Sequence, residues 1–109
     1  MTKIVFSPAA QRDLEEIYGY IAFRLRNPPS ARRLAKRIQK TTMVLARFPE
    51  SGSPVQLSGL SIVYRYLVSE NYLIFYHLTE NTAQIDRILY GRRDYLSILF
   101  GDELSEDIE

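Results

Sequence analysis

The chain has 109 residues, enough for one domain, and its 46% hydrophobic and 25% charged content is that of an ordinary globular protein. The absence of cysteine excludes disulfides and thiolate metal ligands, and the single histidine argues against a first-row metal site. The N-terminus lacks the apolar core of a signal peptide, and no stretch approaches the ~20 apolar residues of a membrane span. We therefore expect a cytoplasmic protein that holds no metal or cofactor and contacts no membrane.

The net charge of +1 hides an uneven distribution. The segment Asp102–Glu109 (DELSEDIE) carries five acids and no base, which leaves 14 basic and 8 acidic side chains, a balance of +6, over residues 1–101. We interpret residues 1–101 as a single domain and residues 102–109 as an acidic tail. The basic body favours an anionic partner, either nucleic acid or an acidic protein, although a plain solvated surface accounts for the charge equally well.

The first half of the chain predicts a strand and two helices. Residues Lys3–Phe6 form a β-type run, and Ser7-Pro8 marks a helix start, because Ser caps free N–H groups and Pro fits the first turn. This helix repeats apolar residues at the 3.6-residue spacing of one buried face and ends at Asn27–Ser30 (NPPS). A second amphipathic helix is predicted over Ser30–Arg47. Its outer face holds Arg32, Arg33, Lys36, Arg37 and Lys40.

The second half predicts a sheet. Residues Phe48–Pro54 form a turn-rich loop, and three strands follow at Ser61–Val68, Tyr72–Leu78 and Ala83–Tyr90. The short polar connections between these strands indicate consecutive antiparallel hairpins. The segment Arg92–Phe100 is predicted to close the domain with a short helix. The order β-α-α-β-β-β-α predicts an α+β fold in which a helical hairpin packs on one face of an antiparallel sheet.

The strand Tyr72–Leu78 (YLIFYHL) is largely apolar on both faces, one of which carries Leu73, Phe75 and His77. An antiparallel sheet with one wet face usually alternates apolar and polar residues. Since the helical hairpin covers one face, the second face needs another cover. The C-terminal segment is one candidate, and a partner polypeptide is the other.

Four segments together resemble one family of small proteins. The opening FSPAAQRDLEEIYGYIA resembles the first strand and helix of RelE/ParE toxins, and RFPESGSP resembles the loop after their second helix. The strand NYLIFYHL and the segment QIDRILYGRRDYLSILF resemble the ending of a ParE toxin. The order and spacing of these segments hold up to about Phe100. The chain is therefore similar to the RelE/ParE superfamily of type II toxin–antitoxin systems, closer to the ParE branch, which includes plasmid stabilisation proteins.

The two branches imply different activities. RelE-like toxins are ribosome-dependent mRNA endonucleases, whose chemistry needs several cations around the scissile phosphate. Here Leu73 stands where that branch has an arginine, the preceding strand has Arg65 but no lysine, and Arg93 is the one position that matches. The ParE resemblance implies instead inhibition of DNA gyrase by direct binding, with no bond made or broken.

The resemblance also implies the partners of the chain. A cognate antitoxin would neutralise it, and we predict for this antitoxin an acidic or amphipathic segment that lies across the second sheet face or against the helices. Operator DNA would be contacted only through the antitoxin complex. Three functions stay open: a gyrase inhibitor, an mRNA endonuclease acting on the ribosome, and a degenerate member that binds its antitoxin and poisons nothing.

Candidate contact residues concentrate at the end of the last strand. Arg92 and Arg93 present donors suited to a carboxylate or phosphate, and we expect one of them to face the target. The alternative is an internal pair with an acid such as Asp94 or Asp86. The predicted target- or antitoxin-binding residues are Arg65, Arg87, Tyr90, Arg92, Arg93, Asp94 and Tyr95.

Two of these arginines lie inside predicted strands. Arg87 shares a face with Ile85 and Leu89, which requires either an edge position or a salt bridge with a nearby acid. Arg65 is expected on the second, uncovered face if the hairpin packs on its two neighbouring tyrosines, and would there be free to contact a partner.

Two further features allow alternative interpretations. His77 is interpreted as a sheet histidine with ordinary hydrogen bonds and not as a general base, so a nuclease would have to rely on Arg65 and Arg93. The cations on the outer face of the second helix are interpreted as a solvated surface. Gyrase, DNA, ribosomal RNA and an acidic antitoxin are the alternatives for that surface.

Overall fold

The computed structural model describes residues 1–57 and 60–91, with the backbone alone at residues 56, 57 and 60–62. The predicted closing helix Arg92–Phe100 and the acidic tail lie outside these residues. The described elements in chain order are β1 (Lys3–Phe6), α1 (Pro8–Gly19), a π-helical turn (Tyr20–Arg24), α2 (Pro28–Met43), a 3-10 turn (Val44–Ala46), β2 (Ser53–Leu57), β3 (Leu60–Ser69), β4 (Tyr72–Thr79) and β5 (Thr82–Tyr90).

Both helices begin at a capping side chain followed by proline. The Ser7 hydroxyl accepts the N–H of Ala10 at 3.0 Å, as predicted. For α2 the cap is Asn27, whose side chain accepts the N–H of Ser30 at 3.2 Å. The predicted break between the helices lies where expected, but α2 begins within it, at Pro28 and not at Ser30. The start is two residues earlier than predicted because prolines suit the first turn of a helix.

The sheet has five strands in the order β1-β5-β4-β3-β2. The pairings between β2, β3, β4 and β5 are antiparallel, whereas β1 lies parallel to β5. The predicted α+β architecture is confirmed, with one strand more than expected. Residues Ser53–Leu57 form β2, which the sequence had placed partly in a loop. Proline at position 54 is tolerated there because β2 is an edge strand with a register shift between Pro54 and Gln56.

The two faces of the sheet carry separate apolar clusters. Toward the helices, Ile74, Tyr76 and Ile85 pack with Leu34 and Ile38 of α2. On the opposite face, which we call the far face, Val55, Phe75 and Leu89 are buried with Tyr64, Tyr66 and Leu73 around them. These two clusters explain why β4 is apolar on both sides. In the part of the chain that the structure describes, no helix is long and apolar enough to cross a membrane.

A bulge between β4 and β5 reverses the expected alternation along β5. Tyr76 pairs with Ile85, but the preceding residue Phe75 pairs with Arg87, so β5 has one extra residue at this point. As a result Ile85 lies toward the helices and Leu89 lies on the far face. The prediction that Arg87 shares one face with both of them was therefore wrong, because a one-residue shift exchanges the faces of all later side chains.

Candidate functional site

Arg65 of β3 is bonded to the loop that precedes β2. Its Nη1 donates to the carbonyl oxygens of Glu50 at 3.1 Å and Gly52 at 2.8 Å. Beside it the buried Tyr76 hydroxyl donates to the Pro49 carbonyl at 2.8 Å and accepts the Gly52 N–H at 2.9 Å. Burial raises the pKa of Tyr76, against the opposing effects of the Gly52 hydrogen bond and of Arg65. The two side chains together hold this loop against the sheet.

The face on which Arg65 lies differs from the expectation. The helical hairpin does not pack on Tyr64 and Tyr66, because both tyrosines belong to the far-face cluster. Arg65 therefore projects on the other side of β3, where it pairs with Tyr76 of β4. The conditional placement of Arg65 on the uncovered face was wrong. Its role as a target or antitoxin contact stays a prediction.

Arg87 of β5 forms a salt bridge with α1, the outcome expected for a strand arginine with an acid nearby. Its Nε and Nη2 donate to the two carboxylate oxygens of Asp13 at 2.7 and 2.9 Å. The hydrogen bonds to Asp13 raise the pKa of the Arg87 guanidinium. Asp13 also accepts the backbone N–H of Ile88 at 2.9 Å. Since β1 ends at Phe6, opposite Ile85, Asp13 satisfies an N–H of β5 that β1 no longer reaches.

On the far face His77, Asp86 and Gln84 form a row of hydrogen-bonded polar side chains. The Nδ1 of His77 is 2.7 Å from the Asp86 carboxylate, which also accepts a bond from the Gln84 side chain at 3.2 Å. The Tyr64 ring stands edge-on to the imidazole at 5.9 Å. The expected hydrogen-bonded sheet histidine is confirmed. A carboxylate that orients an imidazole in this way is also an arrangement used for proton transfer.

The far face beyond this row is apolar and partly filled by the chain itself. Phe75 has no exposed surface, whereas Leu73 and His77 are half-buried. A cavity of about 650 Å³ adjoins this cluster and is lined by Tyr66, Val68, Glu70, Asn71, Leu73, Phe75 and Gly91. Leu73 and His77 therefore present exposed surface on this face, whereas Phe75 presents none. The cover on this face stays a prediction.

The predicted arginine cluster begins just beyond the described residues. Tyr90, the last residue of β5, is 55% exposed, and its ring lies 5.3 Å from that of Tyr72. Gly91 follows with a φ of +57°, a conformation that glycine adopts without strain. Arg92, Arg93, Asp94 and Tyr95 lie outside the described residues. Their roles in target or antitoxin binding stay predictions.

The helical hairpin contains a groove that the sequence did not predict. A cavity of about 670 Å³ is lined by residues of β1, α1, the π-helical turn and α2: Phe6, Gln11, Leu14, Glu15, Tyr18, Gly19, Phe23, Ala35 and Gln39. Phe23, at its edge, is 77% exposed, and Tyr20 and Leu25 nearby in sequence are also exposed. The one available signal was the apolar run around Phe23, which extends beyond the stripe that a regular α-helix would bury.

The outer face of α2 is cationic, as predicted. Arg32, Arg33, Lys36, Arg37 and Lys40 are all exposed. Among the described residues, one ion pair involves this face, between Arg37 and Glu70 at 3.3 Å. Within the same part of the chain, no three His, Asp or Glu side chains are placed to hold a metal ion.

Solved structures share this fold. A chain of the chromosomal ParDE TA system of P. aeruginosa superposes with a TM-score of 0.70 at 20% identity, over 84% of this chain and 98% of that one. YafQ from E. coli strain BL21(DE3) superposes with a TM-score of 0.52 at 17% identity, over 93% of this chain and 100% of that one. At these identities the likeness concerns the fold. No curated protein sequence matches the chain.

The sequence itself gives the family. Residues 4–95 match the family model described as the ParE toxin of the type II toxin-antitoxin system parDE. This range covers β1 from Ile4 onward and all of the later described elements, and it continues through the predicted arginine cluster. The chain is therefore a member of the ParE toxin family of type II toxin–antitoxin systems.

Proposed function

We propose that this toxin acts by binding DNA gyrase directly and is neutralised by a cognate antitoxin. The observation that carries the proposal is that both strand arginines are bonded within the chain. Arg65 donates to two loop carbonyls and Arg87 to Asp13, so neither guanidinium is free to stabilise charge on a phosphate. A toxin that acts by binding does not need such a cluster. Such a toxin would act in the cytoplasm, where gyrase is located.

The proposed gyrase contact is the end of β5 with the arginines after it. Tyr90 is exposed, and exposed aromatic and arginine side chains contribute most to protein–protein affinity. The residues Arg92 and Arg93 would supply bidentate donors to carboxylates of the target. The basic body would speed association with an acidic surface.

A supercoiling assay with purified gyrase, relaxed plasmid and purified toxin tests this proposal. We expect inhibition at near-stoichiometric toxin. The double variant Arg92→Gln/Arg93→Gln should lose it, while Arg12→Gln/Arg24→Gln, which removes the same charge from two exposed positions elsewhere, should retain it. Full gyrase activity at a large molar excess of toxin would contradict the proposal.

For the antitoxin we propose that an amphipathic segment occupies the groove of the helical hairpin. The groove is largely apolar, and the exposed Phe23 is one of the residues that line it. An amphipathic helix would lay its apolar side into this groove. The groove is thus an alternative docking site to the far face, where Phe75 is already buried by the chain itself.

Antitoxin affinity of surface variants tests this placement. Phe23→Ser should weaken binding of the antitoxin by at least tenfold, because a buried aromatic anchor contributes more than about 1.4 kcal/mol. Val63→Ser is the matched control, since Val63 is 76% exposed on β3, compared with 77% for Phe23. Unchanged binding by Phe23→Ser would reject the groove as the docking site.

A second candidate function, mRNA cleavage on the ribosome, is favoured by one observation. The Asp86 carboxylate holds His77 at 2.7 Å, an arrangement that fits a proton-transfer group. Primer extension on translated mRNA distinguishes the two functions. New 5′ ends at codon-linked positions that disappear in His77→Gln would establish the nuclease, and their absence after induction in growth-arrested cells would reject it.

A further inference from the structure

The outward surface of α2 is uniformly cationic, and we call Arg32, Arg33, Lys36, Arg37 and Lys40 the cationic face. Between residues 31 and 41 every exposed side chain belongs to this set except Gln39. The helix Pro28–Met43 contains five cations and no acid. Its opposite side is buried, with Leu34 and Ile38 in the main core. The helix therefore presents a single cationic side to its surroundings.

This arrangement is locally unfavourable. Arg32 and Lys36, Arg33 and Arg37, and Lys36 and Lys40 are like-charged pairs at i, i+4 spacing, each of which costs a few tenths of a kcal/mol. Within the described part of the chain, Arg32, Lys36 and Lys40 have no ion pair, and Arg33 bonds to the neutral Ser30 hydroxyl. A purely solvated helix usually mixes both signs. A helix that keeps such repulsion between its own cations is expected where an anionic partner offsets the repulsion.

The chemistry of the cationic face favours nucleic acid over protein as that partner. A protein interface has an apolar or aromatic centre from which charges are depleted, and no apolar side chain is exposed between residues 31 and 41. Protein–nucleic acid interfaces are instead polar and strongly cationic. The exposed residues of this stretch include no aromatic side chain on which an unpaired base would stack, which favours a duplex over a single strand.

We propose that the cationic face of α2 binds the phosphodiester backbone of double-stranded nucleic acid without sequence preference. From Arg33 to Lys40 the helix rises about 10 Å, which equals about three phosphate-to-phosphate steps of one strand, at 3.4 Å of axial rise per step. Arginine and lysine donors suit phosphate oxygens. This binding is separate from operator recognition by an antitoxin, and it does not depend on gyrase as the target.

Fluorescence anisotropy with a labelled random-sequence duplex of about 30 base pairs tests the proposal on the purified chain. The test variant is Lys36→Gln/Lys40→Gln, at two exposed cations without ion pairs in the described residues. The control is Lys3→Gln/Arg12→Gln, which removes the same charge from exposed positions on β1 and α1. Circular dichroism establishes that each variant is folded.

The salt dependence of binding gives the decisive readout. Loss of two phosphate contacts should reduce the slope of log K against log salt by about 2, so a fourfold rise in salt should weaken the wild type about tenfold more than the test variant. The control should keep the wild-type slope. DNA and RNA duplexes should both bind, because the phosphodiester is common to them.

Three results would overturn the proposal. One is the absence of duplex binding at low salt. Another is an equal change of slope in test and control variants, which would mean that overall charge and not this face is responsible. The third is displacement of the duplex by a poly-glutamate peptide at lower charge concentration than by unlabelled duplex, which would assign the face to an acidic protein.

Discussion

Asp13 of α1 and Arg87 of β5, 74 residues apart in the chain, form a two-point ion pair with N···O distances of 2.7 and 2.9 Å. The same carboxylate accepts the Ile88 N–H at the edge of β5. A helix and a central strand are thus joined by polar contacts in addition to their apolar packing. Because the side chains of Asp13 and Arg87 are both largely buried, loss of one leaves the charge of the other buried without a counter-charge.

Asp13→Asn should reduce the free energy of unfolding by about 2 kcal/mol, since it removes the charge from two hydrogen bonds to a guanidinium. Urea denaturation at neutral pH measures this change. Glu15→Gln, at an exposed position of the same helix, should stay within about 0.5 kcal/mol of the wild type. Equal stability of the two variants would show that the pair contributes no net stability.

The buried hydroxyl of Tyr76 predicts a loss of stability at alkaline pH. Burial raises the pKa of Tyr76 above its ordinary value of 10.0, so the folded chain keeps this proton after the unfolded chain has lost it. The unfolded state then binds fewer protons, and the free energy of unfolding falls as pH rises above the unfolded pKa. The contribution is complete below that pH.

Tyr76→Phe separates this titration from the general alkaline response. The variant should be less stable at neutral pH, because the Pro49 carbonyl and Gly52 N–H lose their partner, but its stability should fall less steeply above pH 10. The difference in slope should approach about 1.4 kcal/mol per pH unit. Urea midpoints across this range measure it, with the exposed Tyr20→Phe as control. Identical slopes for Tyr76→Phe and wild type would be inconsistent with the assignment.

The sequence predicted the helices and the central strands because their signals are local. Ser7 precedes a proline at the start of α1, and apolar periodicity marks the buried faces, whereas the Asn27 cap of α2 was interpreted only as a break between helices. The edge strand β2 was missed because Pro54 is a strong loop signal, although an edge strand tolerates it. The bulge opposite Phe75 was also not predicted, since the alternation of apolar and polar residues along a strand does not reveal an extra residue until the strand pairing is known.

The candidate site was less predictable because its contacts join distant segments. An acid for Arg87 was expected from the cost of burying a charge, but nothing in the sequence identified Asp13, which lies on another element. The two carbonyls held by Arg65 belong to the loop before β2, whose position depends on the missed strand. The groove beside Phe23 depends on a π-helical turn, which local periodicity does not reveal.

Two glycines should respond in opposite ways to alanine. A Cβ on Gly52 would lie 2.5 Å from the Tyr76 hydroxyl oxygen and 2.9 Å from the Tyr66 carbonyl oxygen, so Gly52→Ala should displace Tyr76 and cost about 1–3 kcal/mol. At Gly19, the last residue of α1, the nearest atom would be a Phe23 carbon at 4.0 Å. Gly19→Ala should therefore stabilise the helix by up to about 1 kcal/mol. Thermal unfolding of both variants checks the contrast, and destabilisation by Gly19→Ala would contradict it.

Arg65 and Tyr90 should separate stability from target binding. Because the Arg65 donors hold the loop before β2, Arg65→Gln should lower the free energy of unfolding by about 1–2 kcal/mol and leave the half-maximal inhibitory concentration against gyrase unchanged. Tyr90 is exposed beside the predicted arginine cluster, so Tyr90→Ala should raise that concentration about tenfold while the fold is retained. Supercoiling assays well below the unfolding temperature give both values. A stable, folded Arg65→Gln variant that no longer inhibits gyrase would instead place Arg65 in the target contact.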